Sequence, residues 1–329
     1  MSLPSTGRDL AKLPKAQLHL HLTGAMRPAT LTELAGRYGV SVPQPLPSAA
    51  GTWAAFQSRY DASRAALRTA EDIARVIAEA AEDDARDGCG WLEIQVDPTS
   101  YAPVFGGLEP ALEAVLAGAA AAPVSVGVLV ASSWQRSPAH AAVLARLASR
   151  YAGVVGFGLS NDERGADVGD FAPAFEVVRD AGLLAAPHSG FYTSAAHVRS
   201  CVELLGASRI GHGTSAAADP AVVELLASRG VALEICPTSY PPFGVHELSG
   251  IPLRTFLAAG VPVALSTDDP LLFGVGLADQ YGICREALGL TDEELASIAS
   301  SGIRASAAPA ELKARLLAEV ADWLADGAQ

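Results

Sequence analysis

Short apolar runs alternate with longer amphipathic stretches along almost the whole 329-residue chain. The short runs are bounded by turn-forming residues and read as strands. They fall at Gln17–Leu22, Trp91–Val96, Val124–Ala131, Val154–Leu159, Leu183–Pro187, Arg209–Gly213, Val231–Cys236 and Val261–Ser266. Between them, apolar residues recur every three or four positions, as in a helix with one buried face. Such segments are Pro138–Tyr151, Phe171–Ala181, Ala195–Leu205, Pro220–Ser228 and Leu253–Ala259. Gly182, Gly206, Gly230 and Gly260 follow several of them, at the place where a helix C-terminus favours a left-handed residue.

Strands alternating with helices predict a parallel sheet, and eight such units close into a (β/α)8 TIM barrel of α/β class. The first connection is too long for a simple crossover. Residues 27–90 read as a helical insert beside the barrel mouth, with Thr69–Asp87 its most strongly patterned part. Glu293–Ser300 and Ala310–Ala325 supply closing helices. With no repeat and no Pro-, Gly- or Ser-rich linker, residues 1–329 are expected to form a single barrel domain.

Composition narrows the classes. Half the residues are hydrophobic, enough for a large core, and the formal charge is −13. That charge argues against nucleic-acid binding and against docking on anionic membranes. It leaves a small-molecule substrate as the expected partner and oligomeric state unread. Cys89, Cys201, Cys236 and Cys284 lack CxxC spacing and are expected to be reduced, with Cys89 and Cys236 buried in strand-like runs. Met1–Leu13 has no apolar signal core, and no apolar stretch is long enough to span a bilayer, so the expected location is cytoplasmic.

The chemistry lies at the strand ends. In a barrel of this kind the site forms at the C-terminal ends of the strands. The first strand carries His19 and His21, whose alternation points both imidazoles the same way. The fifth is followed by His188, the sixth contains His212, and the eighth is followed by Asp268-Asp269. Three imidazoles and a carboxylate suit zinc with one position left open, and zinc makes hydroxide available near neutral pH. A further imidazole or carboxylate nearby can move its proton. Each piece alone has a plainer reading. The HxH could be structural, Asp268-Asp269 before Pro270 a turn or cap, and His212 a tolerated loop residue. All those plain readings would have to hold at one end of one barrel.

These motifs resemble the adenosine deaminase family of the amidohydrolase superfamily. The run from Leu13 to Gly24, LPKAQLHLHLTG, is similar to the family's opening PKxELHxHLDG. Further similarity lies in Glu93 with Pro98, in Arg209–Gly213, in Leu233–Ser239 and in Ser266–Pro270. The resemblance implies the same barrel fold. It also implies that His19, His21, His188 and Asp268 bind one zinc per chain, a donor set that iron or manganese also fits. By the same resemblance His212 orients the attacking water and moves its proton, making His212 and Asp268 the catalytic pair. Asp269 would accept a hydrogen bond from the substrate ring.

Departures from the family pattern concentrate where the substrate is read. The family's HAGE is here His188-Ser189-Gly190-Phe191, so the glutamate that protonates the purine is a phenylalanine. Thr23 replaces the aspartate of LDG, Asn161 the glycine of LAGDE, Gln95 the usual arginine, and Tyr240 the common asparagine. Substrate contacts are therefore expected from Asp269, Gly190, Phe191, Asn161 and Thr23. General acid catalysis is worth roughly 10²- to 10⁴-fold, so the change at Phe191 points away from adenosine itself. The expected activity is hydrolytic deamination of another aminated heterocycle or a modified nucleoside. The alternatives are an ordinary adenosine or adenine deaminase with a substitute acid, and a metal-containing binder without turnover. Asp162, Glu163 and Tyr192 are the substitute acids near in sequence. Trp53, Phe56 and Tyr60 read as a core-facing helix stripe, and Tyr101, Tyr240 and Phe243 as candidates for stacking on a flat substrate.

Overall fold

A computed structural model describes residues 7–43 and 52–326. Nine parallel strand segments form two sheets: β1 (Lys15–His21), β2 (Cys89–Val96), β3 (Val126–Ser133), β4 (Val154–Ser160) and β5 (Leu184–Ala185), then β6 (His188–Ser189), β7 (Arg209–His212), β8 (Ala232–Ile235) and β9 (Val263–Leu265). The segments β5 and β6 are two halves of the expected fifth strand. Pro187 between them has no N–H to give to a ladder. The gap is bridged on both sides, because Ala186 N donates to Phe157 O and Gly211 N to Pro187 O. At the other seam, Asp268 N donates to His19 O at 2.9 Å and His21 N to Asp268 O at 3.1 Å. These bonds close the two sheets into one barrel of eight staves, the α/β architecture read from the sequence. Strand bounds differ from the expected ones by one to a few residues; β3, for instance, runs to Ser133 rather than ending at Ala131.

Between β1 and β2 the chain forms α1 (Pro28–Tyr38), α2 (Trp53–Arg64) and α3 (Ala70–Arg86). A capping box fixes the start of α3, Thr69 accepting from the backbone of Asp72 while Asp72 accepts from that of Thr69. Its apolar positions Ile73, Val76, Ile77 and Ala81 are fully buried, and it packs on α5 (Leu108–Ala120), after the single turn of α4 (Ala102–Phe105). The outer ring continues with α6 (Pro138–Ala148), α7 (Ala172–Asp180), α8 (Ala195–Leu204), α9 (Pro220–Arg229), α10 (Leu253–Ala258), α11 (Pro270–Phe273) and α12 (Leu277–Leu288). Helices α13 (Asp292–Ala305) and α14 (Ala310–Ala325) complete it. Helices α5 and α12 carry little signal in the sequence. The first is so rich in alanine that its apolar face has little contrast, and the second begins among glycines that read as loop.

All four cysteines are buried and unpaired. Among the described residues, no helix is long and apolar enough to cross a membrane.

Candidate metal centre and active site

Two glycines let the strand ends crowd together. A Cβ on Gly211, in β7, would come within 2.8 Å of His19 Cε1 and 3.1 Å of the His188 ring. One on Gly24, just after β1, would overlap the Asp269 carboxylate. With no side chain at either position, imidazoles from three strands and two carboxylates share one small space.

His19, His21 and His188 offer ligand atoms that all lie within 4.8 Å of one another. The Nε2 atoms of His188 and His21 are 3.2 Å apart, and Asp268 Oδ1 lies 3.3 Å from His21 Nε2 and 3.6 Å from His19 Nε2. His212 Nε2 sits 4.0 Å from the other Asp268 oxygen. His19 Nε2 is buried without a hydrogen-bond partner, facing this cluster of donors with nothing of its own to bind. These are the marks of a cation site. Against burial, the Asp268 and Glu234 carboxylates raise His19 to a pKa of about 10, and a divalent cation would displace that proton.

A buried charge relay holds the first ligand. His19 Nδ1 donates to Glu234 Oε2 at 2.8 Å, which fixes the tautomer and leaves Nε2 for a metal. The Arg209 guanidinium, 1% exposed, lies 2.7 Å from Glu234 Oε1 and also pairs with Glu93 Oε2 at 2.5 Å. Glu93 in turn accepts from Trp91 Nε1 and from the backbone N–H of Ala307. The sequence reading matched Glu93, Arg209 and Glu234 to family motifs but gave them no role. The visible signal was three charged residues inside otherwise apolar strands. Trp134 Nε1 bonds His188 O at 2.9 Å and so anchors the strand end that carries the third histidine.

The electrostatics separate neighbouring groups. Against burial, hydrogen bonds to His19 and His21 hold the Asp268 carboxyl well below its usual range. Burial and then the adjacent Asp268 charge push Asp269 well above it. Burial lowers His212 to about 3, so its imidazole is neutral.

The cluster forms the floor of a cavity of about 350 Å³, whose wall includes His21, His188, His212, Asp268 and Asp269. Phe191 and Asn161 are on the wall as well. Thr23 and Gly190 are not: Thr23 is fully buried and shares a 2.7 Å hydrogen bond with Tyr101, while the Gly190 carbonyl accepts from Thr214 Oγ1. Gly190 has φ 79°, and a Cβ there would meet Ser215 Oγ at 2.7 Å, so its place is conformational. The Phe191 ring packs 4.7 Å from His212 and 5.4 Å from Phe243.

The stripe of Trp53, Phe56 and Tyr60 on α2 does not serve only the core; all three line the cavity. Phe56 stacks on Phe273 at 5.9 Å, and Trp53 lies 6.1 Å from Phe243, giving the mouth an aromatic collar. Of the loop aromatics, Tyr101 and Phe243 line the cavity, whereas Tyr240 is fully buried, its hydroxyl accepting from Cys236 N. Asp162 is occupied by Arg164 and lies off the wall, while Glu163 and Tyr192 are on it.

Among the described residues, three non-glycine residues have positive φ: Asn161 (67°), His212 (66°) and Asp268 (62°). Each lines the cavity; Asn161 directly follows β4, His212 ends β7, and Asp268 lies three residues after β9. Backbone strain of this kind persists only where surrounding structure over-determines it, and it gathers at functional sites. It also explains how asparagine can stand where the family has glycine at position 161, since asparagine tolerates the left-handed region best.

Comparison with known proteins decides the family: the sequence profile of the family described as Adenosine deaminase matches residues 14–323. The chain belongs to the adenosine deaminase family. Its members are metal-dependent hydrolases acting on C–N bonds, and this chain is an enzyme of that deaminase type. A Streptomyces coelicolor protein named "Putative adenosine/adenine deaminase" is 53% identical over 96% of this chain and 98% of its own length. An aminodeoxyfutalosine deaminase from the same organism is 34% identical over 98% of this chain and 89% of its own. The crystal structure of an adenine deaminase from Arthrobacter aurescens superposes with a TM-score of 0.88 at 29% identity, covering 95% of this chain and 99% of that one.

Proposed function

We propose that this deaminase uses one zinc ion, held by His19, His21, His188 and Asp268, to hydrolyse the exocyclic C–N bond of an aminated heterocycle or modified nucleoside other than adenosine. One observation carries the reading. His21, His188, Asp268 and His212, with His19 behind them, lie at the floor of a cavity whose wall has the Phe191 ring where the family's proton-donating glutamate is expected. A cation in that position acidifies water and polarises the carbon under attack.

The chain's own groups do the rest. Neutral His212 takes a proton from the attacking water and, with Asp268, passes it to the departing amine. Asp269, whose carboxyl burial and the Asp268 charge push above its usual range, lines the cavity where it can share a hydrogen bond with a ring nitrogen. Phe191 and Phe243 exclude water and shape the pocket for a flat ring.

A second reading is favoured by the 53%-identical relative's name: adenosine or adenine deamination with a substitute acid. Ammonia release from zinc-loaded protein across adenosine, adenine, substituted purines and other amino-heterocycles separates the two. The blank is Asp268→Ala, expected to lose at least roughly 10³-fold in kcat/KM along with bound metal. Full turnover by Asp268→Ala on the native substrate would sink the metal mechanism.

A further inference from the structure

We infer that Glu163, just after β4, is a catalytic acid that hands a proton from Oε2 to an acceptor on the bound ring, the task of the family glutamate whose place Phe191 occupies. The inference rests on the deaminase reading above, names a further group for the same reaction, and holds whichever of the two substrates that reading carries.

Glu163 is 2% exposed and lines the cavity. Its two oxygens are unequal. Oε1 accepts three backbone N–H groups, from Phe191 at 2.6 Å, Tyr192 at 2.5 Å and Thr193 at 3.1 Å. Oε2 is buried and has no partner. A neutral carboxylic acid has this division of labour, a carbonyl oxygen that accepts and a hydroxyl that must find an acceptor. An ionised carboxylate with one oxygen stripped of water and unbonded would be costly. Burial raises the Glu163 pKa, opposed by the three backbone bonds and by the Thr193 hydroxyl. The charged and titratable groups around it are Arg164, Asp162, Tyr192 and the Cys201 thiol, and Arg164 is already paired with Asp162. The same three N–H bonds tie Glu163 to the Phe191 turn, so the acid and the aromatic wall move as one unit.

The proton count closes. Glu163 gives its proton to a ring nitrogen as water oxygen bonds to the amine-bearing carbon, and His212 takes one proton of that water. The carbon–nitrogen bond then breaks, the amine leaving as ammonia with the His212 proton. The remaining hydroxyl proton is released as the carbonyl forms, and it restores Glu163. The ring nitrogen keeps the proton it received.

Glu163→Gln tests this directly, because glutamine retains the oxygen the three N–H groups need and removes only the acidic proton. The variant is expected to fold and bind metal as the wild type does and to lose roughly 10²- to 10⁴-fold in kcat, with KM changed little. Wild-type kcat/KM should decline as pH rises through the raised Glu163 pKa, and this decline should vanish in the variant. Unchanged kcat with an unchanged pH profile overturns the proposal. A loss in kcat with the alkaline limb intact also overturns it, by showing a structural role only. Infrared difference spectra, wild type minus Glu163→Gln at pH 7, supply a reading that needs no substrate. A protonated-carboxyl band supports the proposal and its absence overturns it, whether or not the panel above yields ammonia.

Discussion

The floor of the cavity and its wall are built on different principles. The floor is charged, crowded and locked from behind: its imidazoles sit at or within two residues of a strand end, and His19 is backed by the buried series Glu234, Arg209 and Glu93. The wall joins an aromatic collar to polar side chains such as Gln57, Arg64, Gln95 and Arg136, and its aromatics come from separate loops and helices, Trp53 and Phe56 from α2, Phe191 and Tyr192 after β6, Phe243 after β8 and Phe273 from α11. Buried ions tolerate almost no substitution, because removing one partner strands the other. Aromatic contacts at a cavity mouth can be exchanged for others at modest cost. A fold with this division can keep one reaction and change what it acts on, which is the pattern of retained and altered residues along this chain.

The contrast can be broken at three points. Glu234→Gln attacks the floor from behind. It removes the charge that holds His19 and half the compensation of Arg209, and is expected to weaken metal affinity by roughly 10- to 100-fold. Chelator competition measures it, and undiminished affinity would show that the relay is merely structural. Phe191→Ala attacks the wall. It is expected to raise KM by up to about tenfold, equivalent to an aromatic contact of about 0.5–1.5 kcal/mol, while metal content stays constant. A loss of metal in that variant would show that wall and floor are not separable. Asn161→Gly should change least: the left-handed backbone at φ 67° suits glycine, so stability should stay within about 0.5 kcal/mol in thermal or denaturant melts. A larger loss would mean that the asparagine side chain braces the strand end.

The same division governs what could be read from sequence. Strand-end histidines follow from period-two alternation and barrel topology, so His19, His21, His188, His212 and Asp268 are legible in the sequence as one cluster. Positions set by tertiary approach were not. Thr23 sits in the opening motif, yet its hydroxyl turns to Tyr101 and leaves the cavity. Trp53, Phe56 and Tyr60 have the spacing of a core stripe, and only the docking of α2 over the barrel mouth makes them a collar. Glu163 was a nearby acid with no known reach. Its role depends on the loop after β6 folding back so that three N–H groups meet one carboxyl oxygen. The left-handed conformation of His212 and Asp268 likewise has no signature in residue type.

The central claim is that the floor supplies the chemistry and the wall chooses the substrate. The most direct test is the ratio of kcat/KM for adenosine to that for the best other amino-heterocycle in the panel, measured on the zinc-loaded wild type and on Phe191→Glu. The account predicts a ratio well below one for the wild type and a rise in the variant. Adenosine turnover above about 1 per second by the wild type, with no better substrate and no gain from Phe191→Glu, would contradict it.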